Sequence, residues 1–208
     1  MLEKCYKIEN DTRMYDFMTC IRYLNHLGRQ AYGSKFSVIV EDKELLHKLI
    51  SYGISSEDQC AHHGLDLKKG ILLTGPVGCG KTSLISLLPA FMYPFQKYQV
   101  KNTREIAAEF HKEGYETIQK YGLRPKPICL DDLGVETNIK HFGNECNTIG
   151  EILLHRYELF INEGIVTHAT TNLNADELED IYGIRVRSRL RSMFNLIVFP
   201  GDVKDKRK

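Results

Sequence analysis

The stretch Gly75 to Thr82 reads GPVGCGKT, a glycine-rich run that closes on Lys and Thr and fits the pattern GxxxxGK[ST]. Glycines in such a run let the backbone curl around an anion and aim successive N–H groups at it, and a following helix N-terminus adds positive dipole character. Lys81 brings one ammonium to the β- and γ-phosphates, and the Thr82 hydroxyl is a ligand for Mg²⁺. Gly75, Pro76, Val77, Gly78, Cys79, Gly80, Lys81, Thr82 and Ser83 are therefore the expected ATP-binding loop. Further along, the apolar Ile128-Cys129-Leu130 runs into Asp131-Asp132. Open α/β sheets bind ligands at the carboxyl ends of their strands, which sets this acidic pair beside the phosphate loop. Asp131 is expected to hold Mg²⁺, directly or through water, and Asp132 to polarise the attacking water. Thr170-Thr171-Asn172 ends a later strand-like run, where the Asn172 amide can orient that water or touch the γ-phosphate. Arg185, Arg187, Arg189 and Arg191 alternate over one short segment. On a helix Arg185 and Arg189 share one face at i,i+4, and Arg187 and Arg191 another. One face suits an arginine finger for a neighbour's ATP, and the other a nucleic-acid backbone.

Alternating strands and helices must hold these groups. From Gly70 the pattern predicts a buried strand at Ile71 to Thr74, the glycine loop, and a helix from Lys81 to about Leu88, stopped by Pro89. A second strand is expected near 97–101, a helix over about 103–120, and a third strand at Ile128 to Leu130. A helix over about 148–162, a fourth strand at Ile165 to Thr170, short helices over about 175–193 and a fifth strand at Leu196 to Phe199 complete the order. Such alternation implies a parallel sheet covered on both faces. Residues 1–64 read as a helical N-terminal extension, separate from a core over 65–208. Its first helix is capped by Asp11 or Thr12 and stops at Gly28. A second follows Asp42 and ends near Gly53, a third starts at Ser55 or Ser56, and FSVIV (36–40) is a possible short strand.

Composition bounds the remaining classes. The 208 residues suit one α/β domain with a short extension, and 42% hydrophobic residues suffice for a core. With 28 basic and 27 acidic side chains, overall charge gives no sign of nucleic-acid binding. None of the six cysteines forms a CxxC pair, and Cys79 and Cys129 fall in the phosphate loop and a core strand, which points to a reducing cytoplasm. Cys60, His62 and His63 have no second cluster to complete a zinc site and read as a helix end. The charged MLEKCYKIEND is no signal peptide, and no apolar run reaches the roughly 20 residues of a membrane helix.

The segments LLTGPVGCGKTSL (72–84), ICLDDLGVE (128–136), HRYELFINEGIVTHATTNL (155–173) and YGIRVRSRLRSMFNLIVFPG (182–201) together resemble the AAA+ ATPases. Within them the likeness is to the bacterial DnaC-like helicase-loader family and its relative, the transposition helper ATPase IstB. The resemblance implies a P-loop core with a five-stranded sheet ordered 5-1-4-3-2, a sensor-1 role for Asn172 and a finger role for Arg189, with Arg185 as second choice. It implies action on single-stranded DNA with a replicative helicase or a transposase as partner, and a nucleotide-dependent homo-oligomer. Two departures accompany it. Only nine residues follow Phe199, so no C-terminal helical lid is expected, as in the loader branch, and residues 1–64 match no loader partner-binding domain. Two other classes use the same loop. A small-molecule kinase needs an acceptor site and a basic lid between later elements, whereas the arginines here lie near the C-terminus. A non-catalytic ATP-switched adaptor conflicts with the intact Asp131 and Asp132.

Overall fold

The computed structural model describes residues 2–38, 42–136, 139–141 and 144–200. A 3-10 turn, Leu2–Cys5, leads into a hairpin of β1 (Tyr6–Glu9) and β2 (Thr12–Tyr15), paired antiparallel from Tyr6–Tyr15 to Glu9–Thr12. The turn residues Asn10 and Asp11 have φ of 49° and 59°, the geometry of a two-residue turn that Asn and Asp tolerate best. The hairpin was not expected, and it moves the first helix cap from Asp11 or Thr12 to Asp16. The Asp16 carboxylate accepts from Thr19 N at 2.8 Å and opens α1 (Phe17–Tyr32). Gly28 does not stop this helix. A Cβ there would lie 2.0 Å from the Phe36 ring, so Gly28 gives Phe36 room to pack on the helix. Phe36, Ser37 and Val38 form no strand; residues 39 and 40 of the expected strand lie outside those described. α2 (Lys43–Gly53) and α3 (Glu57–His62) follow close to the expected limits.

The alternating part contains β3 (Gly70–Thr74), α4 (Lys81–Leu87), β4 (Gln99–Asn102), α5 (Thr103–Glu113), α6 (Tyr115–Gly122) and β5 (Ile128–Leu133). A small ribbon of β6 (Ile139–His141) and β7 (Asn144–Cys146) follows, then α7 (Thr148–Glu163), β8 (Thr167–Thr171), α8 (Ala175–Met193) and β9 (Phe194–Val198). The single helix expected over 103–120 is broken at Gly114, and α8 kinks at Gly183. The main sheet runs β4-β5-β8-β3-β9, every pair parallel. Read from the β9 edge, this is the implied order 5-1-4-3-2.

Helices cover both faces. One apolar cluster joins Cys20, Leu24, Leu46 and Leu49 of the N-terminal helices to Ile71 and Leu73 of β3 and Ile85 of α4. The other packs Ile106, Phe110, Ile149, Ile152 and Leu190 against Leu130 and Ala169. The N-terminal helices α1, α2 and α3 thus bury their apolar faces in the same cluster as the sheet, each full-sized aliphatic side chain contributing about 1.5–3 kcal/mol.

The central β8, THATT, is buried throughout although it is polar. Each polar side chain has a task. Thr167 Oγ1 accepts from Arg156 Nε at 2.8 Å, and His168 Nδ1 accepts from Ile71 N at 3.2 Å. Arg156, itself 0% exposed, also donates to the carbonyls of Arg124, Lys126 and Val166. Burial, aided by the nearby Arg156 charge, lowers the His168 pKa to about 3. In the unfolded chain the imidazole titrates near its ordinary value of about 6.5. His168 therefore leaves stability intact above that pH and removes it as pH falls toward the folded-state value. Replacing it with Gln, which keeps an acceptor for Ile71 N, should cut the pH slope of unfolding free energy between pH 6 and 4 by up to about 1.4 kcal/mol per pH unit. Urea unfolding at several pH values measures this, and an unchanged slope would contradict the neutral buried imidazole.

Candidate nucleotide site

The glycine loop joins the carboxyl end of β3 to α4. Gly78 and Gly80 have φ of 81° and 103°, left-handed values that a side chain resists. Lys81 follows and is only 4% exposed. Its Nζ donates to the carbonyls of Gly75 and Pro76, each at 2.9 Å, and to Asn172 Oδ1 at 2.5 Å. The Cys79 sulfur lies 3.9 Å from the same nitrogen. Lys81 and Asn172, 91 residues apart, are thus joined at one point as the sequence suggested.

Thr82 Oγ1 donates toward both oxygens of Asp131, at 3.0 and 3.1 Å. Thr170 Oγ1 donates to Asp131 Oδ1 at 2.7 Å and accepts from Asp132 N at 2.8 Å. One hydroxyl on β8 therefore fixes both members of the acidic pair. Asp131 is 4% exposed, and its pKa is raised chiefly by burial and also by the Asp132 charge, while the two hydroxyls and Lys81 pull it down. Asp132 has φ of 62°, and the β5–β8 register shifts between Leu130 and Leu133. This bulge interrupts the strand pairing, which resumes at Leu133–Thr171, and gives the neighbouring carboxylates different surroundings. Asp131 faces the two hydroxyls, while the half-buried Asp132 borders an open cleft of about 730 Å³. Thr103 Oγ1, donating to Asp132 O at 2.7 Å, holds the strained residue from the other side.

The cleft is walled by Val77 to Ser83, Asn102, Arg104, Asp132 and Asn172, with Tyr32 and Phe36 at its rim. Arg104 Nε donates to Val135 O at 3.3 Å. Sequence reading missed Thr103, Arg104, Thr170 and the α1 rim. Asn102 ends β4, where it pairs with Asp131, and Thr103 and Arg104 follow it. Glu136 was also unassigned. It accepts from Gly134 N at 3.1 Å and from Tyr182 OH, tying the loop after β5 to α8.

The donor set suits a hard divalent cation, since Thr82 and Asp131 bring a hydroxyl and a carboxylate together beside the phosphate loop. The arginines of α8 lie elsewhere. Arg189 sits over the Tyr157 ring at 5.0 Å and donates to Arg185 O, and Arg187 pairs with Asp176 at 3.1 Å and with Glu179. Arg185 and Arg191 are exposed. None of the four lines the cleft. The basic tail at Lys204, Lys206, Arg207 and Lys208 falls outside the described residues.

No protein-family model matches the chain. Among solved structures it is similar to the DnaC helicase loader, with a TM-score of 0.57 and 21% identity over 78% of this chain and 92% of that one. A putative primosome component from Streptococcus pyogenes serotype M3 gives 0.54 and 18%, covering 76% and 81%. AMPPCP-bound DnaA from Aquifex aeolicus gives 0.54 and 18%, covering 82% of this chain and 50% of that one. The chain has the AAA+ P-loop fold. A curated relative, ABC transporter B family member 1 of Arabidopsis thaliana, is 31% identical over 108 residues, but these span only 48% of this chain and 8% of that protein. Within the AAA+ fold the Lys81–Asn172 and Asp131–Thr82 contacts lie at the carboxyl ends of β3, β5 and β8.

Thr170→Val should leave Asp132 N without its partner and remove one donor from Asp131. A buried group so orphaned costs about 1–3 kcal/mol, whereas Thr170→Ser should retain most of the stability. Chemical denaturation compares the two, and equal stability of Val and wild type would contradict the bridging role.

Proposed function

We propose that this chain is a Mg²⁺-dependent AAA+ ATPase that acts on DNA in replication as a DnaC-like helicase loader. The observation that supports it best is the convergence of Lys81, Thr82, Asp131, Asp132 and Asn172 at one end of the sheet. The N–H groups of Gly75 to Ser83 wrap the phosphates of ATP, and Lys81 exchanges its carbonyl contacts for β- and γ-oxygens. Thr82 and Asp131 would hold Mg²⁺, which neutralises charge on the phosphates. Asp132 polarises the attacking water and Asn172 orients it. The similarity to a helicase loader and to a putative primosome component supports the replication setting. Single-stranded DNA and a replicative helicase are the proposed partners in the cytoplasm, with 1–64 as partner-directed extension and 65–208 as ATPase core. Among the described residues no helix is long and apolar enough to cross a membrane.

Arg189 lies outside its own cleft, so the finger is assigned in trans: one subunit's Arg189 leaves Tyr157 to face a neighbour's γ-phosphate in a nucleotide-dependent homo-oligomer. Steady-state hydrolysis, with and without single-stranded DNA, tests the whole reading. Lys81→Ala and Arg189→Ala should each lose turnover, the latter by roughly 10³-fold or more. Mixing the two should restore part of it, because an intact Lys81 site can meet an intact Arg189 from its neighbour. Full activity of Arg189→Ala alone would overturn the finger. ATP binding without hydrolysis in wild type would make the chain a switched adaptor instead.

A further inference from the structure

The opposite end of the sheet carries a second built surface. Six basic side chains, Lys97, Lys101, Lys120, Arg124, Lys126 and Arg156, surround a cavity of about 190 Å³ along β4 and at the start of β5; among the described residues no carboxylate lines it, and Glu109 accepts from Lys120 and Tyr121 of its wall. The chain's net charge is only +1, so this concentration is local. Lys120 is paired with Glu109; among the described residues Lys97, Lys101, Arg124 and Lys126 have no ion pair. Lys101 lies on the edge strand β4, and Lys97 lies in the segment just before it. The Arg124–Lys126 segment is held from beneath by the buried Arg156, whose guanidinium donates to Arg124 O at 2.7 Å and Lys126 O at 3.1 Å. Arg156 thus positions the backbone of two exposed cations, and its own charge has no carboxylate partner among the described residues.

A larger, more apolar cavity of about 800 Å³ adjoins this one, and Lys97, Lys126 and Pro127 line both. Its wall includes Phe95, 76% exposed, whose ring stacks on the exposed Tyr93 at 5.9 Å and 10°. Phe160 and Ile161, the latter 56% exposed, line it as well. A row of cations beside an exposed aromatic platform matches a polymer that alternates phosphates with flat rings. A folded acidic protein would need no platform, and a duplex hides its rings.

We propose that this end of the sheet binds single-stranded nucleic acid, its phosphates on Lys97, Lys101, Arg124 and Lys126 and a base on Phe95. The inference deepens the DNA-directed reading above and places the strand away from the α8 arginines. None of these four cations lines the nucleotide cleft, so the surface is open whether or not nucleotide is bound.

The test is fluorescence anisotropy of a labelled oligothymidylate with the full chain, without nucleotide, over a range of salt concentrations. Replacing Lys97, Lys101, Arg124 and Lys126 together with Gln should weaken binding on the order of tenfold or more at low salt and flatten the log–log salt slope by about 2 to 3. Phe95→Ala should weaken oligothymidylate binding roughly 5- to 100-fold with the salt slope unchanged, and leave inorganic polyphosphate binding intact. Fluorescent ATP-analogue binding should be unaffected in both, which confirms that the variants fold. Wild type binding DNA while both variants bind equally well overturns this surface alone. Wild type binding no DNA at low salt without nucleotide overturns this surface, and binding none with ATP and Mg²⁺ present as well overturns the DNA-directed reading with it. A loss in the Gln variant but none in Phe95→Ala overturns the nucleic-acid occupant in favour of a simple polyanion.

Discussion

A carboxylate at 4% exposure, between two hydroxyls, is the point on which the rest of this structure turns. A bare buried carboxylate would cost several kcal/mol and would take up a proton instead. Asp131 is kept usable because Thr82 comes from the helix that starts at the phosphate loop and Thr170 from the neighbouring strand. The same contacts fix where α4 sits relative to β5 and β8. The placement of the proposed metal ligands and the fold are therefore one set of interactions, beside which Lys81 donates to Asn172.

The polar strand at the centre extends this logic along the sheet. Thr167, His168, Thr170 and Thr171 put hydrogen-bonding side chains where most parallel strands carry aliphatics. Toward its carboxyl end β8 organises the acidic pair, and Thr171 Oγ1 donates to Leu133 O at 2.9 Å. Toward its amino end Thr167 anchors Arg156, which shapes the basic cavity. One strand thus supports chemistry at one edge of the molecule and a charged surface at the other.

The glycine loop, the Asp-Asp strand end and Asn172 were legible in the sequence because their chemistry is local: residue types at fixed spacing after a strand. The parallel sheet was legible because strands and helices alternate. The start of β8 was not, since the apolar Ile165 and Val166 read as strand while the pairing begins at Thr167. The hairpin at Asn10-Asp11 escaped because its strands, Tyr6–Glu9 and Thr12–Tyr15, are short and largely exposed and carry no clean alternation. Gly28 misled because glycine commonly ends helices, and only the fold reveals Phe36 against it. The shared core of the N-terminal helices and the sheet depends on which faces meet, information that no single segment contains. The arginines of α8 show the same limit: their alternation was plain, but their partners Tyr157, Asp176 and Glu179 decide where they point.

The bulge at Asp132 gives the central claim its sharpest form, that two adjacent carboxylates have separate tasks because the backbone turns between them. Calorimetric titration of ATP with and without Mg²⁺, combined with turnover, measures this in Asp131→Asn and Asp132→Asn. Asp131→Asn should lose the Mg²⁺-dependent part of ATP affinity. Asp132→Asn should bind Mg·ATP like wild type and lose about 10²- to 10⁴-fold in hydrolysis. Identical binding and turnover in the two variants would contradict the division of roles.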